Sequence, residues 1–185
     1  MEKNLYEKAV VFAARAHAGQ IRKGDGTPYI VHPFLVASML REQGCSLNAV
    51  IAGLLHDTVE DTRVSIHDIE TEFGNEVADI VSVCTEPLKS MPWEERKQHS
   101  IKVIKTASLD AKYVTCADKL HNLRSLIAVH EELGPKVWSR FSRGYESQKW
   151  YAESMLSSIF FGLDDTAIKP MLKFYNKLIK EFYNR

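Results

Sequence analysis

Apolar positions recur along this chain at helical spacing. Over residues 3–18, Leu5, Ala9, Phe12, Ala13 and Ala16 fall three and four apart, which is the spacing of one buried helical face, and Gly19 stops the run. Pro33 suits the first turn of a second helix that continues to Gln43, with Gly44 as its C-terminal stop. Ser46 is placed to cap a third helix through "LNAVIAGLLHD", and Ser65-Ile66-His67-Asp68 reads as a capping box opening a helix that closes at Phe73 before Gly74. Asn75 is expected to cap a short helix reaching about Val83. After the proline-bounded loop "TEPLKSMP", helices are predicted over residues 93–105 and 110–133, the second ending at Gly134-Pro135. Residues 145–161 mix polar and large apolar side chains, and "AIKPMLKFYNKLIKEFYNR" reads as an amphipathic C-terminal helix interrupted by Pro170. No alternating, β-branched run with hairpin turns appears, so the fold class expected is all-α.

Composition narrows the setting. The 185 residues, 45% hydrophobic, can bury a core without disulfide staples and are expected to form a single domain, residues 1–185, with a C-terminal helical extension over 135–185. Lys plus Arg equals Asp plus Glu at 24 each, so no polybasic field exists to drive binding to DNA, RNA or a membrane surface. An anionic substrate must then be met by a local cluster. Cys45, Cys84 and Cys116 are odd in number and form no C-x-x-C pair, which argues against a disulfide framework or a structural zinc site and suits a reducing cytoplasm. No basic-then-apolar leader and no apolar run of about 18 residues occurs, so neither secretion nor membrane spanning is expected.

One stretch does not fit a plain helical core. "LLHDTVED" sets His56, Asp57, Glu60 and Asp61 directly after a buried-looking apolar run, and ionised groups at a core edge cost several kcal/mol each unless something compensates them. On a continuous helix, His56 and Glu60 would share one face and Asp57 and Asp61 the adjacent one. A divalent cation such as Mn²⁺, Fe²⁺ or Zn²⁺ accepts mixed imidazole and carboxylate ligands but wants about four to six, so further donors are needed. His32, beside a proline at a helix start, and Asp118, set in the apolar face of "VTCADKLHNLRSL", can supply them.

With those residues in place the chain resembles a known family. The ordered set His32, His56-Asp57, Asp118 is similar to the H…HD…D signature of the HD-domain metal phosphohydrolases, which are helical bundles. The flanking text "HAGQIRKGDGTPYIVHP", "AGLLHDTVEDT" and "CADKLHNLRS" resembles the hydrolase domain of the Rel/Spo alarmone enzymes, most of all the stand-alone small alarmone hydrolases, over a motif core of residues 5–126. The resemblance implies that His32, His56, Asp57 and Asp118 hold one Mn²⁺, or another divalent metal. It implies that Glu60 and Asp61 position and activate the attacking water. Arg22 and Lys23 match a pair that contacts guanine and phosphates, Asn122 matches an asparagine of the nucleoside pocket, and Arg143 lies in a segment that approaches the substrate in relatives. The implied reaction removes the 3′-pyrophosphate of (p)ppGpp. His121 is expected to be packing or surface, and His17, His67, His99 and His130 to lie outside the site.

Two departures concern specificity rather than the metal. The spacing from Lys23 to Pro28-Tyr29 is one residue longer than in the long Rel enzymes, and "TEPLKSMPWEERK" lacks the acidic pair and lysine that often follow the threonine. They motivate an alternative substrate, such as the 2′-phosphate of NADPH or a nucleoside phosphate, and behind it a non-catalytic nucleotide-binding module. The roughly 59 residues after Leu126 are too few for a second catalytic fold, so alarmone synthesis is not expected. Leu172, Tyr175, Leu178, Ile179 and Phe182 give the last helix an apolar face that packs on the domain or on a second subunit, leaving a homodimer open.

Overall fold

The computed structural model describes residues 2–22, 26–87 and 89–183; the candidate substrate contact Lys23 lies outside them. Ten α-helices and one 3-10 turn account for the described fold, and its only β feature is a single antiparallel bridge between Ile21 and Pro28. The all-α expectation holds.

The helices are α1 (Glu2–Ala16), α2 (Val31–Glu42), α3 (Leu47–Leu55), α4 (Thr58–Asp61), α5 (Ile66–Phe73), α6 (Asn75–Cys84), α7 (Trp93–Lys105), α8 (Leu109–Leu133), α9 (Tyr145–Phe160) and α10 (Pro170–Tyr183). The caps explain most boundaries. Ser46 accepts the Ala49 amide at the start of α3, and the Ser65 hydroxyl and Asp68 carboxylate satisfy each other's backbone amides to open α5. Gly44 and Gly74 both sit at positive φ, which L side chains rarely adopt, and so end α2 and α5 where the sequence placed them.

Three expectations need correction. Asn75 is the first residue of α6 rather than its cap; Gly74 holds the cap position and no side chain bonds there. Pro170 opens α10 instead of interrupting it, since a first-turn proline lacks only an amide that the helix leaves unpaired. The run through "GLLHDTVED" is not one helix: α3 stops at Leu55, His56-Asp57 forms a turn with Asp57 at φ −93°, ψ −7°, and α4 begins at Thr58. The Thr58 hydroxyl takes the Leu55 carbonyl at 2.7 Å, satisfying a group the break exposes.

The centre of the bundle is α8. Every residue from Ala111 to Asp118 is buried, because α2, α3, α6, α9 and α10 all pack around it. The C-terminal helix lays Met171, Leu172, Tyr175 and Ile179 into the same hydrophobic cluster as α3 and α8, so much of its apolar face is satisfied within the chain, and Leu178 and Phe182 pack against that cluster. Lys112 reaches from α8 to the Phe161 carbonyl at 2.5 Å, tying down the end of α9. No described helix is long and apolar enough to cross a membrane.

The crossing of α2 and α3 is the closest contact that positions the site. A Cβ added at Gly53 would lie 2.6 Å from Leu40 Cδ1 and 3.4 Å from the Ala37 backbone, and Leu40 is fully buried. Gly53→Val is expected to destabilise the protein by roughly 1–3 kcal/mol through overpacking, lowering the melting temperature by about 2–4 °C for each kcal/mol; a thermal melt beside the wild type measures it.

Candidate metal centre and catalytic cleft

Three separate elements bring the four candidate ligands together. His32 comes from the first turn of α2, His56 and Asp57 from the break between α3 and α4, and Asp118 from the middle of α8. His32 Nε2 lies 3.2 Å from His56 Nε2, 3.2 Å from Asp118 Oδ1 and 3.5 Å from Asp57 Oδ2. His56 Nε2 is 3.2 Å from Asp57 Oδ2 and 3.8 Å from Asp118 Oδ1. His32, His56 and Asp118 are buried residues.

The hydrogen-bond network decides which ring nitrogens carry protons. His56 Nδ1 faces the Gly53 carbonyl at 2.9 Å, and a carbonyl only accepts, so Nδ1 is the protonated atom and Nε2 of the neutral ring is bare. Arg22 Nη1 points at His121 Nδ1 from 3.3 Å, and a guanidinium only donates, which makes His121 Nδ1 an acceptor. His32 Nδ1, 2.9 Å from the same atom, must then donate to it, leaving His32 Nε2 bare as well. Two imidazole lone pairs and two carboxylate oxygens therefore face one another with no proton assigned among them. That donor set fits a divalent cation, and the outer bonds of both histidines are those that orient metal-ligating imidazoles.

The same field acts on protons. Burial presses the His56 imidazolium down, but Asp57 and Asp118 outweigh it and raise its pKa to about 9, so near neutral pH Nε2 takes up a proton against these carboxylates unless a cation stands in its place. For Asp57, burial works upward and is overcome by His56, which holds the carboxyl well below the usual range. Asp118 is also held low: burial is offset by Lys119, whose Nζ lies 2.8 Å from Oδ2, together with His32. His121 goes the other way, down to about 4, under burial, His32 and Arg22, in keeping with a neutral ring that accepts.

Beside this cluster α4 presents the two remaining acidic groups. Glu60 Oε2 accepts the Glu86 amide at 3.3 Å, and burial with the nearby Glu86 charge raises its pKa, a direction that favours proton uptake. Asp61 lies between Tyr29, whose hydroxyl is 3.0 Å from Oδ2, and Lys89, 2.5 Å from Oδ1. A cleft of about 630 Å³ opens over these groups and is walled by Arg22, Arg96, Lys97 and Lys119 among others. It adjoins a cavity of about 490 Å³ that shares Arg22, Lys97, Lys119 and Asn122 and runs on between Leu126, Phe141 and Tyr151. A larger open groove of about 960 Å³ lies across Asp61, between α1 and α5, and contains none of the four ligand candidates.

The other sequence candidates divide. Arg22 Nη2 donates to Asn122 Oδ1 at 3.3 Å, and Asn122 Nδ2 to Asp118 Oδ1 at 2.5 Å, so both stand at the cleft. Arg143 lines neither the cleft nor the adjoining cavity; it forms an exposed ion pair with Glu94 at 2.5 Å. His121, expected as packing or surface, instead supports His32. Helical arithmetic had the signal, since His121 falls one turn from Asp118. Tyr29, Lys119 and the group Glu86, Arg96 and Lys97 were missed. Glu86 binds Arg96 at 2.7 Å and also pairs with Lys97, a contact across the loop before α7 that no local pattern announces.

Comparison with known proteins agrees with this geometry. An HD-domain family model matches residues 9–143. The chain is 40% identical over 152 residues to guanosine-3′,5′-bis(diphosphate) 3′-pyrophosphohydrolase MESH1 of Xenopus tropicalis, covering 80% of this chain and 82% of that one, and 40% identical over 149 residues to human MESH1, covering 79% and 80%. A crystal structure from Listeria monocytogenes EGD-e superposes with TM-score 0.78 at 43% identity, over 83% of this chain and 99% of the other. The structure of a metazoan ortholog of SpoT that hydrolyses ppGpp superposes with TM-score 0.77 at 26% identity, over 96% and 94%. The chain belongs to the HD-domain family, in the branch that holds the MESH1 and Rel/Spo-type (p)ppGpp hydrolases.

Proposed function

We infer that this protein is a guanosine-3′,5′-bis(diphosphate) 3′-pyrophosphohydrolase that uses Mn²⁺ held by His32, His56, Asp57 and Asp118. The observation that carries the reading is the convergence of four imidazole and carboxylate donor atoms, both carboxylate oxygens within 3.8 Å of both Nε2 atoms, with Glu60 and Asp61 beside them, in a chain 40% identical to MESH1 over most of its length. Mixed imidazole and carboxylate donors suit Mn²⁺ among the first-row cations. The zero net charge supports a small nucleotide rather than a nucleic acid as partner, and the free cysteines suit a cytoplasmic setting. The described residues are read as one working domain.

A divalent cation in the cluster supplies Lewis acidity toward a phosphoryl oxygen and lowers the pKa of water. The protein's own groups do the rest. Glu60, with its raised pKa, takes a proton from the water as its oxygen bonds to the phosphorus of the 3′-diphosphate. The bond from that phosphorus to the ribose 3′-oxygen breaks, the 3′-oxygen gains a proton, and GDP or GTP leaves with pyrophosphate. Asp61 holds the geometry on the opposite side of Glu60. Arg22, Arg96, Lys97 and Lys119 place positive charge where a polyphosphate must lie, and Asn122 stands where the nucleoside enters the adjoining cavity.

Incubation with ppGpp and Mn²⁺ should yield GDP and pyrophosphate, resolved from orthophosphate by ion-exchange chromatography. Orthophosphate in place of pyrophosphate would overturn the reading. In the same assay His56→Ala and Asp57→Ala should show no turnover above background. Treatment with EDTA should abolish activity, and added Mn²⁺ should restore it. Glu60→Gln, which keeps shape and loses basicity, should lower kcat by roughly 10²–10⁴-fold while Mn²⁺ binding, followed by calorimetry, stays near the wild-type value.

A further inference from the structure

Tyr29 sits in the loop before α2, half-buried, with its hydroxyl in the cleft. That one oxygen lies 2.7 Å from Asp57 Oδ2 and 3.0 Å from Asp61 Oδ2. A phenol has a single proton, so two carboxylates of different helical segments share it. Asp57 belongs to the break after α3 and Asp61 to the end of α4, and this hydroxyl links their side chains.

The ring behind the hydroxyl is itself held. Its plane stacks on His17 at 4.9 Å between centroids, and His17 is buried with no partner for Nε2 among the described residues. His17 Nδ1 lies 2.8 Å from Gln20 Oε1, an atom that only accepts, so the proton is on Nδ1. This fixes the Gln20 amide, whose Nε2 then donates to the Asp61 backbone carbonyl at 2.8 Å. A bare Nε2 is the tautomer that costs least when buried without a partner, because no N–H is left unsatisfied there. His17 therefore does two things: it backs the Tyr29 ring, and it turns Gln20 toward Asp61. The turn after α1 thus reaches Asp61 at its side chain through Tyr29 and at its backbone through Gln20.

We propose that Tyr29, backed by His17 and Gln20, is a positioning residue that locks Asp57 and Asp61 to each other, so that the cation site and the acidic pair keep one relative geometry. The proposal rests on the metal and hydrolase reading above. Without the hydroxyl, the negative Asp57 and Asp61 side chains have no shared proton between them. Asp57 then loses the bond that aims Oδ2 at His32 and His56, and Asp61 keeps Lys89 alone on its side chain among the bonds described. Outer bonds of this kind commonly govern metal affinity or activity by about 10–100-fold.

Tyr29→Phe removes one oxygen and keeps the ring against His17. Mn²⁺ affinity, measured by calorimetry without substrate, reads Asp57; kcat and KM for ppGpp at saturating Mn²⁺ read Asp61. Expected are Mn²⁺ binding weakened about tenfold or more and kcat lowered by a similar factor, with KM within about twofold and an unchanged far-ultraviolet circular dichroism spectrum. Gln20→Ala, which leaves Tyr29 in place, should lower kcat with Mn²⁺ affinity near the wild-type value. Unchanged Mn²⁺ affinity in Tyr29→Phe would overturn the proposal, as would a loss confined to KM, which would make Tyr29 a substrate contact. A wild-type protein that binds no Mn²⁺ would also overturn it, since Asp57 would then be no ligand to hold. A wild-type protein that binds Mn²⁺ but leaves ppGpp intact would sink only the substrate assignment, and the calorimetry would still decide the role of Tyr29.

Discussion

Four imidazole and carboxylate donor atoms converging on one buried point are the constraint around which this molecule is arranged. Left to themselves in a buried setting, His32 Nε2, His56 Nε2, Asp57 Oδ2 and Asp118 Oδ1 would either repel or collect protons. Each is oriented by a further bond: the Gly53 carbonyl for His56, His121 for His32, Lys119 for Asp118 and the Tyr29 hydroxyl for Asp57. Because Arg22 supplies the donor that makes His121 an acceptor, a residue of the substrate cleft also sets the tautomer of a metal-site histidine. The wall of the cleft and the donor cluster are in this sense one network.

The rest of the fold keeps those atoms within reach of one another. The bend after Leu55 lets Asp57 join the cluster while Glu60 and Asp61 stand over the cleft, an arrangement a straight helix would spread along its length. Gly53 permits α2 to approach α3 closely enough for His32 to meet His56. The stretch of α8 from Ala111 to Asp118 is wholly buried, so Asp118 is presented from a rigid support.

Charge in the cleft is balanced locally rather than across the surface. Glu86 joins Arg96 and Lys97 through its carboxylate and Glu60 through its amide, which couples the basic wall of the cleft to the Glu60 carboxylate. A chain with no net charge can in this way gather positive charge locally along one cleft.

Much of this was legible along the chain. Helix periodicity, serine caps and glycine stops are local signals, set by backbone geometry within a turn or two, and they placed the start of α3 and both ends of α5 and α7 closely. The residue types of "LLHDTVED", with His32 and Asp118, announced a cation because so much charge at a core edge needs one. What the sequence left open also has local causes: nothing in residues 54–61 marks the break at His56-Asp57, and the partner of Arg143, Glu94, lies 49 residues away. Tyr29, Glu86 and His121 escaped for the same reason. A hydroxyl, a carboxylate or a ring nitrogen acquires its role from the atom opposite, and that atom is supplied by another helix. Sequence alone determined which elements form and which residue types could hold a cation; tertiary packing decided which donors meet, because proton placement on each ring and carboxyl depends on contacts of about 3 Å between distant segments.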